Sequence, residues 1–520
     1  HCELESLDSD VLSRLKQENV YLVQDGSFLA VAALQEYQVV KAARRVSLAA
    51  KWKSIKQLSE ENIYSQLTSN YKDSFFVEKG CIPSPTRKIP ELDLIDEDKN
   101  YKITATYRKP YHMHASIGPS AGCASFDGDG LIVWTHNQGV YPLRAAITEA
   151  FNMPIDKVSV QFVPGAGVYG HNGADDAAFD AAIIARHIPG HPILLKWTRD
   201  DEHSWEPYGS AMQCEIQASI DKNGKISSWS HETFADTFLT RPITGKQPAT
   251  RMVSAHYIKD ALPWPVAEPM MVPHGGIHRN MEMLYEMPEP RLVKNRVYDL
   301  PLRTSALRTL GAYGNVFANE SMINELAESA NLDPFTFRLN HLKDERAIAV
   351  LSKLQQVMKD NSGDGEQYGH GIGFARYKNS AAYCAIGVSL SVNEAAEVKL
   401  HDAYIVCDAG EIVDSEGVRA QLEGGFIQAA SWTLYEQVLY ERDGIISRDW
   451  DTYPIITFDN IPQMHTYLIV NPGMPYLGAG EGAAGPTAAA IGNALKDATG
   501  LRVREMPFNP DRIMAAALED

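Results

Sequence analysis

The stretch Gly478-Ala479-Gly480-Glu481-Gly482-Ala483-Ala484-Gly485-Pro486-Thr487 holds a single charged side chain, Glu481, among small residues. Glycines at 478, 480, 482 and 485 let a backbone come close to a ligand, and Pro486 stands where a helix would begin. Free N–H groups at a helix start favour an anion such as a phosphate or an oxo group. Glu481 then has two readings. It is either a turn glutamate that complements the helix dipole, or a general base in a ligand-lined loop, kept ionised by the positive helix end.

A second glycine-rich run, Pro164-Gly165-Ala166-Gly167-Val168-Tyr169-Gly170-His171-Asn172-Gly173, falls between an expected strand and an expected helix. It does not match G-x-G-x-x-G, so a close-packed turn weighs as much as a nucleotide cradle. In Leu307-Arg308-Thr309-Leu310-Gly311-Ala312-Tyr313-Gly314-Asn315, Arg308 sits beside small residues. Its guanidinium could meet a ligand carboxylate or carbonyl, or form a surface ion pair. Gln421-Leu422-Glu423-Gly424-Gly425 puts two glycines into a helical pattern. Each costs about 1 kcal/mol against Ala, which suggests close approach of a backbone or ligand. His112 and His114 could face one way like metal ligands, but no third ligand accompanies them and a structural role is the simpler reading. Asp200-Asp201-Glu202-His203 reads as a solvated acidic turn.

The elements that must carry these residues are mixed. Strands are expected at YLVQDG and FLAVAA before a helix at EYQVVKAARRVSLAAKW, and a linker from about Pro83 to Asn100. Strands ITATY, CASF, LIVWTH, VSVQFV and ILLKWTR alternate irregularly with helices PLRAAITEAF and AAFDAAIIAR. Residues 211–236 read as a hairpin around Lys222-Asn223-Gly224-Lys225, and a helix runs from about Asn315 to Ser329. Asp333-Pro334 caps another helix. A polar segment near 358–368 precedes strands at 382–392 and 399–407, then helices at about 417–440 and after Pro486. Without strict βαβ alternation the class is α+β.

Composition sets outer limits. The 520 residues, 44% hydrophobic and 22% charged, exclude disorder as the main state. A net charge of −18 argues against sequence-independent nucleic-acid binding. No apolar run reaches the length of about 18 residues that a membrane span needs. The six cysteines, Cys2, Cys81, Cys123, Cys214, Cys384 and Cys407, are ungrouped, which leaves no thiolate set for an iron–sulfur cluster.

Taken in order, these segments resemble the molybdenum hydroxylases, that is, xanthine dehydrogenase and its relatives. The resemblance rests on Tyr107-x-x-Pro110-Tyr111-x-x-His114-Ala115, Trp134-Thr135-His136-Asn137-Gln138 and the 165–171 loop. It continues through Arg308-x-x-Gly311-Ala312-x-x-Asn315-x-Phe317, Gln421-x-Glu423-Gly424-Gly425 and Gly478-x-Gly480-Glu481. HASIGPS, YGHNGADDAAFDAA, DEHSWEPYGSAM and LGAYGNVFANES are most similar to the nicotinate dehydrogenase and isoquinoline 1-oxidoreductase large subunits.

The resemblance implies a hydroxylase subunit that oxidises an N-heteroaromatic compound with water-derived oxygen. The alternatives are an aldehyde oxidoreductase subunit or a non-catalytic scaffold subunit. Glu481 matches the general base, and Arg308 and Tyr169 match substrate-binding positions. Gln138, Gly170, Arg338, Gln421, Gly424, Gly425, Gly478, Gly480 and Gly482 match cofactor-binding positions. The cofactor implied is molybdenum–molybdopterin in its cytosine dinucleotide form, held through the pterin, with no protein ligand to the metal. A [2Fe-2S] centre is expected on a small partner subunit.

Three positions depart from the family pattern: Gly165-Ala166-Gly167-Val168 replaces a longer glycine run, Gly118 replaces an acid and Leu310 replaces a proline. The family's Gly-Gln-Gly cofactor segment is also absent from these residues. The chain, which opens on His1, is therefore expected to begin inside a small domain, with the missing segment supplied by another chain or fragment. Expected domains are a partial small domain at 1–90 and two molybdopterin-binding domains at 91–345 and 346–520. The compartment, cytoplasmic or periplasmic and membrane-associated, stays open.

Overall fold

The computed structural model describes residues 2–92, 102–238, 241–242, 247–265, 268–360 and 368–519. Its middle is a six-stranded sheet in the order Ile82–Ser84, Tyr71–Glu78, Arg291–Val297, Ile226–Ala235, Met212–Ile220, Lys102–Lys109. All neighbours are antiparallel except the parallel pair Ile226–Ala235 and Arg291–Val297. The expected hairpin is there, in register from Met212↔Ala235. Asp221 accepts from the N–H groups of Asn223 at 2.8 Å and Lys225 at 2.9 Å, and Gly224 takes the left-handed φ of +74° that closes the turn.

A second sheet, Val158–Phe162, Leu131–Thr135, Ala121–Phe126, Ile193–Lys196, carries the helices Val140–Phe151 and Ala174–His187. The third sheet runs Gly369–Arg376, Tyr383–Val392, Val398–Asp408, Gln463–Leu468. Its edge strand explains how the Glu481 loop is placed. A Cβ on Gly369, Gly371 or Gly373 would come within 2.2, 2.1 and 2.3 Å of backbone oxygens of the helix Ala484–Thr499. Alternate glycines on one face of the strand thus let an alanine-rich helix lie directly on it. That helix starts just after Glu481. Its other side packs on the helix Ala312–Ser329, whose residues are buried from Ala312 to Ala327. Asp333 caps the next helix, Pro334–Asn340, by accepting from the Thr336 N–H at 2.8 Å.

The α+β class holds, and most expected elements appear within a few residues of their expected bounds. The C-terminal helix begins at Ala484, so Pro486 sits in the first turn, where its missing N–H has no intrahelical partner to lose. The helix expected at 417–440 is Ser415–Leu434. Strands Tyr71–Glu78 and Ile82–Ser84 belong to the central sheet, so that sheet crosses the expected border at 90. One apolar core includes Val77, Phe317, Ile386, Phe426 and Ile513, so it also crosses the border at 345. The N-terminal strands and helices have a small core of their own, Leu15, Val20, Ala42 and Val46. Of the expected linker, Ile82–Ser84 is strand and residues 93–101 lie outside the described residues, as do 361–367 of the polar segment.

Candidate active site

Glu481 sits at the meeting point of three segments distant in sequence. The Thr309 N–H donates to its Oε1 at 2.7 Å. Thr309 and Leu310 both have left-handed backbones, with φ of +76° and +51°. Such conformations cost about 1–2 kcal/mol per residue and gather where surroundings enforce them. Here the turn aims a backbone donor at the carboxylate. On its other side Glu481 meets the Tyr377 hydroxyl, which also accepts from Arg279 Nη1 at 2.5 Å. Burial, then the charge of Glu481, push the Tyr377 phenol well above its usual range, so it stays a neutral donor.

Arg308 is the strap of this junction. Its Nε donates to the Gly480 carbonyl at 2.8 Å, its Nη2 to the Gly480 and Gln421 carbonyls, the latter at 2.9 Å, and its Nη1 to Gln428 Oε1 at 3.3 Å. Gly425 makes room, since a Cβ there would come within 3.2 Å of Nη2. The guanidinium thereby ties the Glu481 loop to the helix Ser415–Leu434.

The second glycine loop closes against the same strap. The Arg308 N–H donates to the Tyr169 carbonyl at 2.7 Å and the His171 N–H to the Ala306 carbonyl at 2.8 Å. Only glycine fits at 170: its φ is +133° and a Cβ would lie 1.9 Å from the Ala306 oxygen. Tyr169 is left 38% exposed. Gln138 is exposed at the neighbouring edge. It stands between Asn137, which donates to Asp175 at 2.5 Å, and Gly139, where a Cβ would lie 3.7 Å from the His171 ring. Tyr169, Gly170, Arg308, Gln421, Gly425, Gly480 and Glu481 thus gather around one junction, from three separate loops and one helix.

Arg338 is elsewhere. Its side chain and that of Glu320 are 0% and 2% exposed. Nε donates to Glu320 Oε2 at 3.0 Å, Nη1 to the Pro334 carbonyl at 3.1 Å and Nη2 to the Glu320 carbonyl at 3.1 Å. Arg338 forms a core ion pair with Glu320, apart from the Glu481 junction. The acidic run at 200–203 is half misread. Glu202 and His203 are fully buried, and Glu202 accepts from the Ser120 N–H at 2.7 Å and from Asn172 at 3.2 Å. Burial raises its carboxyl to about 7. His114 is structural, bonded at 3.0 Å to both Glu206 and the Ala306 carbonyl. His112 stacks on Trp432. Thr309, Tyr377 and Arg279 escaped sequence reasoning. Thr309 acts through its backbone, and Arg279 and Tyr377 meet Glu481 only through tertiary packing.

The residues fit a pterin-bound oxo-metal group. A Cβ on Gly424, in the helix Ser415–Leu434, or on Gly478, in the Glu481 loop, would meet no protein atom within 4 Å, so both positions border open space. Among the described residues no group of three His, Cys, Asp or Glu side chains comes together as a ligand set.

Two family models, both described as molybdopterin cofactor-binding domain, match residues 93–257 and 319–462. A nicotinate dehydrogenase chain of Pseudomonas putida is 31% identical over 96% of this chain and 41% of its own length. The beta chain of isoquinoline 1-oxidoreductase from Brevundimonas diminuta is 26% identical over 68% of this chain and 43% of its own length. The chain therefore spans about two fifths of these relatives. Among solved structures, quinoline 2-oxidoreductase from Pseudomonas putida 86 superposes with a TM-score of 0.80, covering 100% of this chain and 93% of that one at 12% identity. The aldehyde oxidoreductase of Desulfovibrio gigas gives 0.71, covering 94% and 68% at 14% identity. These structural likenesses speak for the fold alone. By its two molybdopterin-binding domains, the chain belongs to the xanthine dehydrogenase family of molybdenum-dependent oxidoreductases.

Proposed function

We propose that this chain is the catalytic subunit of a hydroxylase that oxidises an N-heteroaromatic compound, nicotinate- or isoquinoline-like, with oxygen from water. The observation that carries this reading is the Glu481 junction, where one carboxylate is aimed by the Thr309 N–H and Tyr377 at an edge bordered by Gly424, Gly478 and Gln138. When bound, molybdenum–molybdopterin supplies the oxygen and takes up the electron pair. Glu481 holds the proton released at that step on its carboxylate oxygen. Gln138 orients the oxo face through its amide. Tyr169 offers a half-exposed ring for a flat substrate. Arg308 keeps the loop from moving, because a displacement of about 1 Å at a base can cost about a hundredfold.

The names of the two relatives favour the substrate class, and the cytosine dinucleotide form of the cofactor goes with it. Four of the six cysteines are buried and none is paired. Electrons therefore pass to a [2Fe-2S] centre on a partner subunit, and the Gly-Gln-Gly segment comes from outside these 520 residues. The test is Glu481→Gln in the purified complex. Molybdenum content should hold while turnover falls by about a hundredfold to ten-thousandfold. A loaded variant that keeps its activity would refute the base assignment. Native mass spectrometry of the active complex checks the partner: an active, loaded chain without an iron–sulfur subunit would sink that part.

A further inference from the structure

The loop around Tyr377 carries more than the base needs. Lys378 and Asn379 both have left-handed backbones, with φ of +53° and +48°. The loop is clamped from the segment at 280–282. Asn280 accepts from the Lys378 N–H at 2.8 Å and donates to the Arg376 carbonyl at 2.8 Å, and Asn379 donates to the Glu282 carbonyl at 3.1 Å. Strain held this firmly gathers at working sites.

What the clamp presents is two cations on one ring. The Lys378 ammonium lies 5.3 Å and the Arg279 guanidinium carbon 5.5 Å from the Tyr377 ring centroid, and the hydroxyl of that ring meets Glu481. Arg279 spends Nε on the His274 carbonyl at 2.9 Å and Nη1 on Tyr377 at 2.5 Å. Its Nη2 makes no hydrogen bond among the described residues. Neither cation has a carboxylate within ion-pair distance among the described residues. Lys378 is half-buried, and its proton affinity is lowered by burial and Arg279 against the opposing pull of Glu481. Arg241 also acts on Arg279, while Asp175, which faces Arg241, is bonded to His171 and Asn137. Desolvated positive charge without an internal counter-ion is an arrangement that takes an anion.

We propose that Lys378 and Arg279 bind an anionic group of the substrate, so that the site takes an N-heteroaromatic carboxylate over a neutral N-heteroaromatic. This rests on the function proposed above. A carboxylate brought near Glu481 is repelled by it, and the two cations offset that repulsion. A cofactor phosphate has the same oxyanion chemistry, so the experiment separates the two sources.

Lys378→Met and Lys378→Arg are compared in the purified complex with nicotinate and isoquinoline as substrates. Both replacements keep a Cβ at the left-handed position, so they add no backbone strain. Lys378→Met should raise KM for nicotinate by about tenfold to a hundredfold at nearly constant kcat, leave KM for isoquinoline unchanged, and be rescued by Lys378→Arg. Equal changes for both substrates, or no change for nicotinate, would overturn the assignment. So would a loss of pterin phosphate per chain with an unchanged KM ratio, which would give the cations to the cofactor. A second arm measures nicotinate binding without turnover, in Glu481→Gln against Glu481→Gln/Lys378→Met. Weaker binding in the double variant supports the pair, even if wild type oxidises neither compound and the proposed function fails. Absent or equal binding overturns it.

Discussion

Glu320 accepts from Arg338 at 3.0 Å, from the Tyr285 hydroxyl at 2.8 Å and from the Phe374 N–H at 2.9 Å, inside a wholly buried helix. Glu481 also has a backbone N–H, a tyrosine and an arginine about it, but Arg279 reaches it only through Tyr377, and Arg308 binds the backbone oxygen next door. The first carboxylate is saturated by an ion pair. The second has no cation within ion-pair distance among the described residues. Similar donors thus make a structural tie in one place and the proposed acid–base group in the other, and the difference is where the guanidinium lands.

Replacing each glutamate should split the two roles most widely. Glu481→Gln loses turnover by the large factor given above with an unfolding midpoint close to wild type, while Glu320→Gln should unfold at markedly lower denaturant. Next, Arg338→Met leaves Glu320 buried without its cation and should cost about 3–5 kcal/mol by chemical denaturation. A loss below about 1 kcal/mol would mean the pair is not what holds this core. Arg308→Lys cannot reproduce the fork that grips Gly480 and Gln421. It should lower kcat by about tenfold to a hundredfold with little change in cofactor content. An unchanged kcat would break the view of Arg308 as the strap.

A third carboxylate, Glu436, has no cation within ion-pair distance among the described residues. It accepts from the Tyr453 hydroxyl at 2.7 Å, and burial lifts it from 4.5 to about 8. The folded state then holds a proton that the unfolded state releases. Its contribution to stability is full below about pH 4.5 and is lost as the pH rises through about 8. Glu436→Gln should flatten that decline when unfolding is followed between about pH 5 and about pH 9. The smallest effect belongs to Arg448 and Asp200, an ion pair whose side chains are 55% and 51% exposed. Arg448→Ala should shift stability by less than about 1 kcal/mol, and less still in high salt.

Local pattern carried much of the fold. The Asp221–Lys225 turn and the Asp333–Pro334 cap follow from short-range chemistry that needs no tertiary partner. Glu481 and Gly170 were legible for a related reason: a lone charge among glycines, and a glycine where nothing else fits, leave a mark on the sequence itself. The 200–203 run was misread, and the partner of Arg338 was invisible, because a charged residue looks the same whether its partner is water, a ligand or a buried acid. The Glu320 that claims Arg338 lies 18 residues away, and the Ser120 that claims Glu202 lies 82 away.

By itself the sequence determined the element types, the α+β class and the glycine loops, because these depend on dihedral freedom and on periodicity over a few residues. Only the tertiary structure decided that 71–84 joins the central sheet, that Arg308 grips the backbone of the Glu481 loop, and that Tyr377, bonded to Arg279, meets the Glu481 carboxylate. Those facts depend on which distant groups satisfy one another's hydrogen bonds once water is removed, and no local pattern records that choice.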